Sequence, residues 1–430
     1  MDLNSSKALS LHIIIAILLG LVVGVLLHYG QPQLGLAYDF FYNTFDFGGK
    51  AFINILKMLV VPVVFVSLIC GTLNLKNAST FGRAALKTIV LYLLTTALAI
   101  TIALSLALLT GVGKGGEKVK IATDNVLQIQ APESVKDTLL SLIPSNPIAA
   151  MAQGNMIQII IFALLFGLAI NRVGEKAQRF RKIFQEADLV VMSLVSLIFR
   201  VAPYGIFCLV ASLFAQTGLY ILVELATYFM VVVFGLVIHF VLIYMTMLKC
   251  LAGLSPIHFV KQMWPAMLFA FSTSSSNASI PVVMDTVHRR LGVSESISSF
   301  VIPLGATINM DGTAIMQGVA TVFIANSYQI PLTFVDYLTV VMVATMASIG
   351  TAGVPGVGLI TLVMVLKQVG LPAEGVALII GIDRLLDMLR TTVNISGDAT
   401  VACVVAHSES ALNKEKFYAE QPLDAVESFK

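Results

Sequence analysis

The chain has 430 residues, of which 57% are hydrophobic and 12% charged, with a mean hydropathy of +0.91. These values exclude an ordinary soluble domain and describe a polytopic membrane protein. A net charge of +2 gives no footing for nucleic acid, and Cys70, Cys208, Cys250 and Cys403 are too scattered for a metal-ligand spacing or a disulfide framework.

In chain order, apolar segments at 9–29, 38–73, 84–110, 148–171, 186–214 and 219–249 are each long enough to cross a bilayer. The run from Leu11 to Leu27 follows Lys7 as in a signal peptide, but no small-residue cleavage pattern comes after it, so it reads as a retained first span. Segment 111–147 alternates in charge, with Lys114, Glu117, Lys118, Lys120, Asp124, Glu133, Lys136 and Asp137, and reads as a solvated loop. Basic residues set the orientation. Lys76, Arg83 and Lys87 follow the second span, and Arg172, Lys176, Arg179, Arg181 and Lys182 follow the fourth, so both loops and the N-terminus are predicted cytoplasmic. Lys249 and Lys261, and then His288, Arg289 and Arg290, fall on the same side by that count. The apolar stretch 262–287 between them must therefore enter and leave the membrane on one side.

The centre of that stretch, Phe271 to Ser279, is a run of hydroxyl and amide side chains that compete for backbone hydrogen bonds, and Pro281 discourages a helix through residue 280. A second segment, 333–368, is broken at Ser348 to Gly356, where the glycines at 350, 353, 356 and 358 loosen the backbone enough to gate a site. Opened backbone at membrane depth is tolerated only inside protein or beside water, and two such segments point to a transporter binding site. Between them, 296–328 is interrupted by Thr307 to Thr313, with Asp311 a lone carboxylate in mid-span. Broken hairpin plus interrupted helix thus occurs twice, at 256–328 and 333–409, as an inverted pair.

The last segment, 372–409, carries Asp383, Arg384, Asp387, Arg390, Asn394 and Asp398. On an α-helix, 383, 387, 390, 394 and 398 fall within an arc of roughly 80°, with Thr391 at its edge. A charge at the bilayer centre costs from about 2.5 to more than 10 kcal/mol unless paired or facing a cavity. The stripe therefore faces inward and forms a polar site for a charged cargo. Arg390 offers a planar fork to a cargo carboxylate, or else a structural ion pair to Asp387. Asp311 and Asp398 need cations, and hard oxygen ligands suit an alkali ion, with proton coupling equally open from the residues alone. Lys50 and Lys57 read as reaching an interface, and Glu224 and Arg200 as interfacial anchors. Two readings of other classes compete: an aspartyl protease pairing Asp311 with Asp398, and a passive channel built on the re-entrant loops.

The serine-rich tip at Ser274, Ser275 and Ser276, the Asn309-Met310-Asp311-Gly312-Thr313 element, the Ser348 to Gly358 tip, the Asp383 to Asp398 stripe and Lys57 to Pro62 together resemble the glutamate transporter family, the dicarboxylate/amino acid:cation symporters. The resemblance covers nearly the whole chain. It implies an all-α polytopic membrane protein with eight transmembrane helices plus two re-entrant helical hairpins, moving as an elevator, and not an enzyme. Scaffold spans would occupy 1–77 and trimerisation spans 148–217. The transport domain would comprise the third span at 78–110 and residues 218–409, containing a hairpin at 256–291, a seventh span at 296–328, a hairpin at 333–368 and an eighth span at 372–409. Residues 111–147 would be an extracellular loop and 410–430 a cytoplasmic tail.

The resemblance also implies roles. Arg390 would hold the side-chain carboxylate of aspartate or glutamate and Asp387 the α-ammonium, with Thr391, Asn394 and Thr313 completing the hydrogen bonds. Backbone groups around Ser274, Ser276 and Val354 would take the α-carboxylate, with Gly358 also part of the substrate site. Sodium ions, co-transported, would bind at Asp398 with Asn394, Gly305 and Asn309; at Asp311 with Asn309, Tyr92, Thr95 and Thr96; and at backbone carbonyls of Thr307, Ser348, Ile349 and Thr351. Membrane lipid and a homotrimer are the implied partners, in a bacterial or archaeal inner or plasma membrane with both termini cytoplasmic. Two departures stand out. Gln317 occupies a position where the mammalian excitatory transporters carry a glutamate tied to proton and potassium coupling. Ser274 and Met388 occupy the two positions where relatives place an arginine; Arg384, one turn before Met388, is expected to reach there as a substitute, or else to snorkel or pair with Asp383.

Overall fold

The computed structural model describes residues 3–74, 83–114, 144–349 and 353–419, and these are helical, with an isolated β-bridge between Val293 and Leu412. Two long helices open the chain, α1 (Leu3–Leu34) and α2 (Leu36–Asn74), followed by α3 (Arg83–Thr110). Then come the short α4 (Pro147–Gln153), α5 (Met156–Val173), α6 (Gln178–Thr217) and α7 (Ile221–Ile238), which continues through π-helical turns at His239–Tyr244 and Leu248–Ala252. Five stretches, Ile15–Leu34, Leu36–Cys70, Arg83–Thr110, Gln158–Ile198 and Leu222–Ala252, are apolar and long enough to cross a membrane among the described residues.

α1, α2, α5 and α6 pack on one another. They approach closely because small residues line the contacts: a Cβ on Gly24 would lie 2.6 Å from the Ala211 carbonyl oxygen, and one on Gly205 would lie 2.2 Å from the Phe52 ring. Cationic residues expected in a loop after the fourth span instead begin a helix. α6 starts at Gln178, so Arg179, Arg181 and Lys182 form its first turns, and only the 3-10 turn Gly174–Ala177 links it to α5. The reason is local: long basic side chains favour helix, and the Arg181 guanidinium bonds the Leu73 carbonyl and Asn171 Oδ1, tying α6 to the ends of α2 and α5.

The remaining elements are the broken ones. The first hairpin is α8 (Pro256–Thr273) and α9 (Ser276–Arg289). Pro256 at the first helical position and the Ser255 hydroxyl, accepting from the His258 N–H, start α8. Its end is Ser274, held at φ +50°, and the Ser275 side chain caps α9 by accepting from the Ala278 N–H. The break is thus confined to Ser274 and Ser275. The expectation that Pro281 prevents a helix through residue 280 is not met, because Pro281 lies in the second turn of α9, where the carbonyl it leaves unbonded is Asn277's at the helix start.

α10 (Glu295–Ile308) and α11 (Asp311–Ser327) meet at non-helical Asn309 and Met310. The second hairpin is α12 (Phe334–Ser348), begun by a Thr333–Asp336 capping box, and α13 (Val357–Gln368), preceded by Gly356 at φ +82°. α14 (Val376–Ser408) packs against α8, α10 and α11, and α15 (Lys414–Tyr418) folds back beneath the first hairpin. The polar stripe of α14 does face inward: Asp383, Asp387, Arg390, Asn394 and Asp398 are all buried.

Candidate functional site

Arg390 is wholly buried, and both terminal nitrogens are engaged: Nη1 donates to Asp383 Oδ1 at 2.6 Å and Nη2 to Asp387 Oδ1 at 2.8 Å. The Arg384 Nη1 atom stands 3.7 Å from Asp387 Oδ2, and the Gly356 N–H donates to that same oxygen at 3.2 Å. Two carboxylates and two guanidiniums therefore balance, which is what permits four charges in so dry a place. Of the alternatives open to Arg384, a pair with Asp383 gives way to one with Asp387, which lies three residues on along the same helix face, while Asp383 is taken by Arg390. Gly358 closes the same space: a Cβ there would lie 3.3 Å from Arg390 Nη2 and from Thr313 Cγ2. The Thr391 hydroxyl bonds back to the Asp387 carbonyl at 2.8 Å.

The two hairpin tips meet beside this cluster. Ser275 Oγ and the Asn277 N–H both donate to the Gly353 carbonyl, at 2.7 and 3.0 Å. Ser274 and Ser276 are buried, Val354 is half-buried, and the Ser274 hydroxyl has no hydrogen-bond partner among the described residues. A buried orphan hydroxyl next to two broken helices is the arrangement an anionic guest would complete.

A second cluster surrounds Asp398 and Asp311, both fully buried. Asn309 Nδ2 donates to Asp398 Oδ1 at 2.9 Å and to the Asn394 carbonyl at 3.3 Å, while Asn309 Oδ1 is buried without a hydrogen-bond partner among the described residues. Asn394 Oδ1 accepts from the Gly312 N–H at 2.7 Å, so α14 caps the start of α11. Two glycines make room. A Cβ on Gly305 would lie 2.3 Å from Asp398 Oδ1 and 2.5 Å from the Tyr92 hydroxyl; one on Gly397 would lie 2.4 Å from the Tyr244 hydroxyl and 2.6 Å from Asn309 Nδ2.

Asp311 accepts from Thr96 Oγ1 at 2.6 Å, the Tyr244 hydroxyl at 2.7 Å and faces His239 Nε2 at 3.0 Å. Of the residues expected around it, Thr96 is in place. Tyr92 donates instead to the Val301 carbonyl, the Thr95 hydroxyl turns to the Tyr92 carbonyl, and the Asn309 amide goes to Asp398. Near the second tip, Ser348 Oγ bonds the Ile308 carbonyl at 2.9 Å, the Thr307 hydroxyl turns back onto Leu304, and Ile349 packs half-buried against the core. Thr351 lies outside the described residues, as does most of the 111–147 loop. Gln317 is buried and donates to Thr361 Oγ1 at 2.7 Å.

His239, Tyr244 and the pairing of Asp383 with Arg390 escaped the sequence reading. The signal for the first two was present: each puts a hydrogen-bonding ring inside an otherwise apolar span at 219–249. Lys57, expected at an interface, instead makes a 2.7 Å ion pair with Glu374, because α2 runs beside the turn that precedes α14.

The sequence matches the model of the sodium:dicarboxylate symporter family over residues 9–408. It is 33% identical over 424 residues to the proton/sodium-glutamate symport protein of Bacillus subtilis, covering 95% of this chain and 94% of that one. It is 32% identical over 422 residues to the proton/glutamate-aspartate symporter of Escherichia coli, covering 96% and 95%. A C4-dicarboxylate transport protein of Bordetella avium is 32% identical over 406 residues, covering 93% and 89%.

Proposed function

Since the chain belongs to the sodium:dicarboxylate symporter family and is an integral membrane transporter, not an enzyme, we propose that it takes up L-aspartate and L-glutamate, driven by the sodium gradient, through an alternating-access elevator mechanism. The observation that carries this reading is the fully buried Arg390, bonded to two carboxylates directly beneath the tip of the second hairpin.

An acidic amino acid matches that cluster by exchange of ion pairs. Its side-chain carboxylate takes the Arg390 fork from Asp387, and its α-ammonium takes the carboxylate thereby released, so no buried charge is left single. The α-carboxylate falls to the tips around Ser274, Ser276, Val354 and Gly358, with Thr313, Thr391 and Asn394 at the walls. Gly356, whose N–H bonds Asp387, would have to shift as the guest enters, which makes the second tip the gate. Asp398 with Asn309, Asn394 and Gly305, and Asp311 with Thr96 and its neighbours Tyr92 and Thr95, are the proposed sodium sites, with a third at Thr307, Ser348, Ile349 and Thr351. Oxygen and amide donors around buried carboxylates support an alkali ion, and the orphan Asn309 Oδ1 supplies an additional hard ligand.

The packing of α1, α2, α5 and α6 on one another supports a scaffold of spans one, two, four and five. The broken elements and α14 would then form the moving body, with homotrimer assembly and a cytoplasmic C-terminus as further parts of the same proposal. A proton-coupled symporter is the second reading, favoured by the two wholly buried carboxylates and by relatives whose names carry the proton.

Uptake of labelled L-aspartate into proteoliposomes, with and without an inward sodium gradient at fixed internal potassium and pH, separates the two. Sodium-driven uptake is the expected result, and a parallel set of vesicles without internal potassium should give the same rate, in line with Gln317. Sodium-independent, proton-driven uptake would reassign Asp311 and Asp398. Competition by serine and by succinate tests the neutral amino acid and C4-dicarboxylate alternatives, and neither should displace aspartate at equimolar concentration.

A further inference from the structure

The π-helical turn His239–Tyr244 interrupts α7 at the depth of Asp311, and both its end residues are fully buried against that carboxylate. On a regular α-helix two residues five apart would stand roughly 140° apart and could not both face one atom. A π-turn, closed by bonds between residues five apart, brings them round to the same side. The result is visible in the bonding: His239 Nε2 and the Tyr244 hydroxyl meet the same oxygen, Asp311 Oδ2, at 3.0 and 2.7 Å, and their rings lie edge to face with centroids 4.7 Å apart. Oδ1 is left to Thr96. Gly397, next to Asp398, is the opening through which Tyr244 reaches in, since a Cβ there would stand 2.4 Å from the hydroxyl.

From this geometry we infer that His239 and Tyr244 are positioning residues of the Asp311 cation site: the π-turn of α7 pins Asp311 Oδ2 and turns the lone pair left on Oδ1 toward the sodium ion. The inference rests on the reading of Asp311 as a sodium ligand and deepens it. Two donors on one oxygen fix the carboxylate plane, so the cation meets a preset ligand and the ordering is not left to the binding step. Partners of this kind, which never touch the metal, commonly govern about 10- to 100-fold in metal affinity.

The rings also dictate the controls. A glutamine amide at 239 reaches where His Nε2 lies and keeps the bond to Asp311, whereas an asparagine amide ends where Nδ1 lies, and Nδ1 has no partner among the described residues. The test is sodium titration of aspartate uptake by the full-length protein in proteoliposomes for the unaltered chain, His239→Gln, His239→Asn and Tyr244→Phe. Aspartate KM is measured at saturating sodium, and lithium is tried in place of sodium.

The expected result is a half-saturating sodium concentration raised about two- to fivefold in His239→Asn and Tyr244→Phe, because a 10- to 100-fold loss at one site is spread over three cooperating ions. His239→Gln should stay near the unaltered value, aspartate KM at saturating sodium should be unchanged, and lithium should discriminate less sharply from sodium in the two impaired variants. Unchanged sodium titrations in both impaired variants overturn the inference, as does a His239→Gln variant as weak as His239→Asn. If His239→Asn fails to fold, Tyr244→Phe, which removes one oxygen, decides alone. Sodium-independent uptake by the unaltered chain overturns the coupling assignment and this inference with it; sodium-dependent uptake with unshifted variants overturns the inference only.

Discussion

Arg390 and Asp383 are joined by a 2.6 Å charge-assisted hydrogen bond between residues seven apart on α14, two helical turns, with Asp387 on the other terminal nitrogen at 2.8 Å. The guanidinium thus serves the fold, beside the cargo-binding role proposed for it. Arg390→Ala should leave Asp383 and Asp387 with only Arg384 between them, one buried negative charge too many, and destabilise the protein by about 3–5 kcal/mol. Adding Asp383→Asn to that variant should restore much of the thermal stability while aspartate uptake stays lost. Melting temperature in detergent and uptake in proteoliposomes, measured on the same preparations, check both halves. Uptake recovered along with stability would remove Arg390 from the cargo site.

Arg384 lies 3.7 Å from Asp387 Oδ2 and is the second positive charge of that cluster. Arg384→Ala should therefore slow aspartate uptake and raise its KM, because Asp387 would be left with a larger share of unbalanced negative charge. Kinetics identical to those of the unaltered chain would confine Arg384 to a packing role.

Much of this arrangement is legible in the sequence, for a physical reason. A charge in a bilayer is so costly that Asp383, Asp387, Arg390, Asn394 and Asp398 could only lie on one inward stripe, and they do. The Ser274 break and the Asn309–Met310 break also follow from residues that compete with helical bonding. What stays hidden is partner choice between distant segments. Nothing in the spacing says that Asn309 turns to Asp398 instead of Asp311, that Lys57 meets Glu374 across 317 positions, or that α7 shifts to a π-turn to bring His239 onto Asp311. A π-turn has no strong composition of its own, and its register is chosen by the neighbour it serves.

Gly305 gives a direct test of the Asp398 site. A methyl there would lie 2.3 Å from Asp398 Oδ1 and 2.5 Å from the Tyr92 hydroxyl, closer than either contact tolerates. Gly305→Ala should displace the carboxylate and raise the half-saturating sodium concentration of uptake by about two- to fivefold, the diluted share of a 10- to 100-fold loss at one of three cooperating sites. Saturating sodium should then recover most of the aspartate affinity. An unshifted sodium titration would show that Asp398 is not a cation ligand.

Lys57 on α2 and Glu374 in the turn before α14 form a pair that, in the proposed division of the chain, crosses from scaffold to moving body. Both side chains keep substantial solvent contact, 25% and 43%, so the bond is worth no more than about 1 kcal/mol. Its effect should appear in rates. Lys57→Met and Glu374→Gln should change the uptake rate in the same direction with aspartate KM unaltered, and the double variant should match the single ones. Strictly additive effects would mean that the two residues act independently.

The C-terminal turn is a latch on the first hairpin. Phe417 is fully buried against the His258 ring, with centroids 5.4 Å apart; the Ser255 N–H donates to the Tyr418 hydroxyl; and Gln262 donates to the Ala419 carbonyl. Lys87 ties the approach to this turn by a 2.6 Å bond to Glu409, and that bond holds the Glu409 carboxyl below the ordinary carboxylate range. A lowered value in the folded protein means that the carboxylate contributes stability above its unfolded pKa and loses it as the pH falls through the folded one. Glu409→Gln should accordingly lower the melting temperature slightly near pH 7, and the difference from the unaltered chain should shrink as the pH falls below the ordinary carboxylate range. Phe417→Ala, which empties a packed site, should cost about 3 kcal/mol at either pH. A Glu409→Gln deficit that persists unchanged in acid would show that packing, and not the charge, makes the contribution at that position.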